Sequence, residues 1–151
     1  METLYCEIIP NWKVDESKVE VELRLTNALD ALSDSRREKT IRCANVRAIV
    51  DVEATLLVLP QTIIAQLGLL FVRNVNVRFS ERRPAKGDVY GPVMLEVQGR
   101  IALVEALRGP DDIPPLLGNV PLTLLDFRVD KEQCKLLPNP ESPDVASIDV
   151  L

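Results

Sequence analysis

Residues 19–26 read Val-Glu-Val-Glu-Leu-Arg-Leu-Thr, with apolar side chains at Val19, Val21, Leu23 and Leu25 and polar ones between them. A period of two turns one side of a segment toward a core and the other toward water, the pattern of a half-buried strand. Ile41 to Val50 is also strand-like and runs directly into Asp51, and Thr55 to Leu59 is apolar and β-branched enough for another strand. Pro60 suits the first turn of a helix with Ile63, Ile64 and Leu67 on one face and Gly68 as its stop. Between the first two strands, residues 27–39 mix Asn, Asp and Ser with an Arg-Arg-Glu-Lys run. They read as a solvated loop with room for a helical turn.

Leu69 to Phe79 alternates in part, Ser80 to Lys86 is polar with Pro84 breaking regular pairing, and Asp88 to Val97 is the return strand of a long hairpin. Gly99-Arg100 reads as a tight turn into a strand over Ile101 to Leu107, followed by a Pro- and Asp-containing loop from Gly109 to Pro115. Pro121 to Leu125 suits a short helix and Phe127 to Leu137 a last strand, while Pro138, Pro140 and Pro143 mark a tail with little reason to pack. About seven short strands with one clear helix suit a small, partly closed β domain rather than an alternating parallel α/β sheet.

Composition narrows the chemistry. At 151 residues, 46% hydrophobic and 27% charged, the chain is long enough for one domain with its own core. It contains no histidine, which removes the Ser-His-Asp triad, the Cys-His dyad and the His-Glu-x-x-His zinc helix. Neither a Gly-x-Gly-x-x-Gly nor a Walker loop occurs, so no cofactor is expected. Catalysis would rest on carboxylates, Lys, Ser/Thr or Tyr. A net charge of -5 and 4% aromatic residues give nucleic acid neither a basic field nor stacking platforms.

The most apolar stretch, Val46 to Val72, includes Asp51, Glu53, Pro60 and Gln66, which a membrane helix would bury at several kcal/mol each, so it belongs to a soluble core. Met1 to Pro10 has no secretory pattern, and Cys6, Cys43 and Cys134 lie far apart without metal-ligand spacing. A cytoplasmic location with reduced thiols and no metal site is therefore expected.

Ala48-Ile49-Val50-Asp51-Val52-Glu53-Ala54-Thr55, then Val58-Leu59-Pro60, resembles the region in retropepsin-like (clan AA) aspartic peptidases where a hydrophobic strand delivers Asp-Thr-Gly-Ala to the active site. A second block, Tyr90 to Arg100 followed by Gly109-Pro110 and Leu116-Leu117-Gly118-Asn119, resembles that family's post-flap strands and its Ile/Leu-Ile/Leu-Gly-Arg/Asn motif before a short helix. Leu23 to Asp30 is similar to the opening strand of bacterial members. The resemblance implies a mainly β fold, a closed acid-protease-type barrel with one or two short helices over residues 19–137. Residues 1–18 are then an N-terminal extension and 138–151 a Pro-rich tail. It also implies a homodimer in which one Asp51 from each chain activates a water for peptide-bond hydrolysis. Two close carboxylates share a proton because both cannot ionise comfortably, a behaviour for which this dyad is the standard example.

The motif departs from the family at Val52, which has the shape of Thr without its hydroxyl, and at Glu53, which puts bulk and charge where Gly is found; Ala54 is retained. Ser80, Glu81, Arg82 and Arg83 occupy the flap tip, where a glycine-containing loop is expected to close over a peptide. These departures imply impaired peptidase activity. They leave open a non-catalytic homodimer that holds a peptide or protein segment by strand addition, and a weaker reading in which Asp51 and Glu53 from two chains form a carboxylate cation site.

Overall fold

The computed structural model describes residues 2–8, 18–33, 39–79 and 82–150. The chain is mainly β, with short helices. Its strands are β1 (Glu2–Ile8), β2 (Glu20–Asn27), β3 (Lys39–Val50), β4 (Leu57–Pro60), β5 (Leu70–Phe79), β6 (Arg82–Val97), β7 (Arg100–Gly109), β8 (Leu116–Leu117), β9 (Phe127–Asp130) and β10 (Lys135–Pro138). The helices are α1 (Ala28–Leu32), α2 (Gln61–Leu67) and α3 (Asn119–Leu125), so the described residues hold three helices where one or two were expected. The additional one, α1, falls in the stretch read as a loop with room for a helical turn, and there Asn27 accepts from the Asp30 amide at 3.0 Å and caps such a turn.

The large sheet runs in the order β1-β3-β2-β6-β7-β4-β8, with β5 on β6, and β8 also pairs with β3. The alternation in β2 sets its place. Val21, Leu23 and Leu25 are buried opposite Ala48, Val46 and Ala44 of β3. Val21 and Leu25 thus face alanines while Leu23 meets Val46, which fills the core without crowding. On the other side of this pair Arg47 lies 3.7 Å from both Glu20 and Glu22, and Arg24 lies 4.0 Å from Glu96. Exposed pairs of this kind contribute at most about 1 kcal/mol and serve mainly to keep the outer face in water.

Helix α2 follows the sequence reading closely. Ile63, Ile64 and Leu67 are buried, each stabilising the fold by about 2 kcal/mol relative to exposure. Gly68 ends the helix in the left-handed region at φ 63, its amide donating to Ala65 O, while the Leu69 amide reaches Ile64 O. The Asn27 side chain donates to Leu67 O at 2.9 Å, tying that end to β2.

Several expectations need correction. The hairpin continues past Pro84, with β6 starting at Arg82, but its regular pairing breaks there as expected: the register shifts between the Val77–Ala85 and Phe79–Arg82 pairs. The tight turn is Gln98-Gly99, both at positive φ, with Arg100 already in β7. The single last strand is two, because the Asp130 side chain accepts from the Glu132 and Gln133 amides and turns the chain back. The tail does pack: Ser142 is buried and Asn139 and Ser147 bond to Asp126. Within residues 1–18, β1 pairs parallel with β3 in a register that sets Cys6 opposite Cys43.

Candidate active site

Strand β3 ends where β8 begins to flank it. The Ile49 amide donates to Pro115 O at 2.9 Å and the Asp51 amide to Leu117 O at 3.0 Å, so Asp51 leaves the sheet beside the second motif. A turn follows at once. The Asp51 carboxylate accepts from the Glu53 amide at 3.0 Å, and its carbonyl accepts from the Ala54 amide at 3.2 Å. An aspartate can organise such a turn because its short side chain mimics a backbone acceptor.

The turn also completes a helix. Gly118 caps α3 without a side chain, leaving the first amides of that helix without an internal acceptor. Ala54 O accepts from the Asn119 amide at 2.7 Å and Thr55 O from the Val120 amide at 2.9 Å. The carbonyls that follow Asp51 therefore take the place of a capping side chain. This approach requires glycine at 118, since a Cβ there would collide with Leu56 O and lie 2.7 Å from Ala54 O. Its φ of -88 is open to any residue, so the demand is one of space.

At the tip, Asp51 is half-buried while Glu53 is exposed and Val52 is 49% exposed. Val52 is one of several large apolar side chains open at the surface, among them Leu70, Phe71 and Ile101. The structure thus brings Asp51, Val52, Glu53 and Ala54 together with Leu117, Gly118 and Asn119. Of the flap residues, Ser80 and Glu81 lie outside the described residues, and Arg82 and Arg83 belong to the backbone of β6, antiparallel to β5. Among the described residues of one chain, no group of three or more carboxylate or thiol side chains is gathered to hold a metal ion. A surface groove lined by Glu20, Arg24, Arg47 and Glu96 lies on the outer face of β2 and β3 and does not include Asp51.

Two residues with a structural hold on this region carry no sequence signal. Arg100 is buried and donates to Leu125 O and Asp126 O, both at 3.0 Å, and Asp126 is buried at the C-terminal end of α3 with φ 58. Buried charge is visible only once the surrounding chain is in place. Among the described residues, no helix is long and apolar enough to cross a membrane. No family model matches the chain, and no curated protein matches it.

Proposed function

We propose that this chain is a retropepsin-like aspartic peptidase homologue that acts as a homodimer, with Asp51 from each subunit at the shared site and with catalysis impaired by Val52 and Glu53. The observation that carries this reading is the junction in which Asp51 leaves β3 against Leu117 while Ala54 O and Thr55 O cap α3 across a glycine that admits no side chain. It is supported by the pairing order, which passes from β3 through β2, β6, β7, β4 and β8 back to β3, consistent with a closed barrel.

In this reading the two Asp51 carboxylates hold one proton between them, one acting as base toward a bound water and the other as acid toward the peptide carbonyl. Val52 supplies no hydroxyl to bond across the axis, and Glu53 projects charge beside the water site. Cleavage of a mixed peptide library by the full chain, with Asp51→Asn as control, tests the assignment. Slow cleavage lost in Asp51→Asn supports it, and cleavage that persists in the variant overturns it.

A second reading rests on the motif departures at Val52 and Glu53: the same dimer holds an extended peptide without cutting it. Saturable binding of library peptides, with no products after long incubation, supports that alternative.

A further inference from the structure

The segment after β10 is held by two buried charged residues. Asp126 accepts from the Asn139 side chain at 3.0 Å, from the Ser142 hydroxyl in a close contact and from the Ser147 amide at 3.0 Å; its carbonyl takes the Asn139 amide at 3.0 Å. Arg100 donates to Leu125 O, Asp126 O and Ser142 O, with its guanidinium 5.2 Å from the centre of the Phe127 ring. The two carbonyls of residues 125 and 126 close the C-terminal end of α3, where a cation is favourable. Residues 139–147 therefore lie across the end of α3 opposite the one joined to the Asp51 turn.

We propose that residues 139–147 form a strap that positions the Asp51 turn through α3, with Arg100 and Asp126 as its positioning residues. The significance for catalysis rests on the function proposed above, but the coupling itself does not. The route is continuous: strap to Asp126 and Arg100, these to the last carbonyls of α3, and the first amides of α3 to Ala54 O and Thr55 O. The seven-residue helix Asn119–Leu125 links the two ends through about two turns of continuous backbone, the path along which loosening at one end would reach the other. The segment is anchored at buried Ser142 and bonded at Asn139 and Ser147 to the buried Asp126 carboxylate, charge-assisted bonds that weaken sharply when one partner is removed.

Amide hydrogen exchange on the full chain tests this, using Arg100→Met and the milder Ser142→Ala. The expected result is exchange about tenfold or more faster at Ser147, Asn119 and Val120, with the β2–β3 ladder within about twofold of the unaltered chain. Faster exchange at Ser147 alone would make the strap a local feature, and uniform acceleration would make it a contribution to global stability only; either result overturns the proposal. If Arg100→Met does not fold, Ser142→Ala supplies the same readout. A chain that cleaves no peptide but shows the coupled exchange would remove the catalytic reading and leave the strap standing.

Discussion

The amide of Asn119 lies 2.7 Å from the carbonyl oxygen of Ala54, joining the residue after Gly118 to the residue that closes the Asp51 turn. Two segments 65 positions apart thus share one backbone junction, a loop whose closure must be offset by the packing around it.

Replacing Gly118 with Ala tests that junction most directly. The added methyl would strike Leu56 O and crowd Ala54 O, both rigid backbone atoms. We expect a loss of about 2–3 kcal/mol, read as a lower urea midpoint at unchanged slope. A midpoint equal to that of the unaltered chain would mean the turn and α3 separate freely.

Asp51→Asn removes the carboxylate but keeps an oxygen able to accept from the Glu53 amide. Its melting temperature should stay close to that of the parent while Asp51-dependent cleavage disappears. Val52→Thr with Glu53→Gly should raise cleavage by about tenfold or more, since a positioned hydrogen bond is worth about that factor in rate. Unchanged cleavage in the double variant would place the impairment elsewhere.

The proposed homodimer would bring the Asp51 turns of two chains together, with Val52, which is 49% exposed in one chain, at their contact. Sedimentation should show a dimer at micromolar concentration, and Val52→Asp should weaken it by about tenfold or more, because it introduces a charge into an apolar contact. A monomer at high micromolar concentration in the unaltered chain would count against the proposed active site, which needs two subunits.

Asp126 predicts a dependence on acid. The Ser142 hydroxyl, then the Ser147 amide and the Asn139 side chain, lower its pKa from 3.8 to about 2; burial opposes them and Arg128 adds a smaller lowering. A carboxyl depressed on folding contributes stability that is present above its unfolded value and lost as pH falls through the folded one. Stability should therefore fall between about pH 4 and pH 2, with a shallower slope in Asp126→Asn. Equal slopes in the two proteins, measured by urea unfolding across that window, would show that the tail does not hold this carboxylate in solution.

What could be read from the residues alone was local. The period of two in residues 19–26 marked β2, and Pro60, the Ile63-Ile64-Leu67 face and Gly68 marked α2 with its stop, because alternation and helix ends depend on neighbours a few positions away. The strand leading to Asp51 was legible for the same reason. Only the tertiary structure decided that Gly118 must lack a side chain, that Arg100 and Asp126 are buried partners of the tail, and that β1 lies beside β3. Each depends on atoms brought close from distant parts of the chain. The tail shows the limit most clearly: its prolines and charges are a poor basis for packing by themselves, and it is ordered by acceptors and donors that α3, β7 and β9 assemble around it.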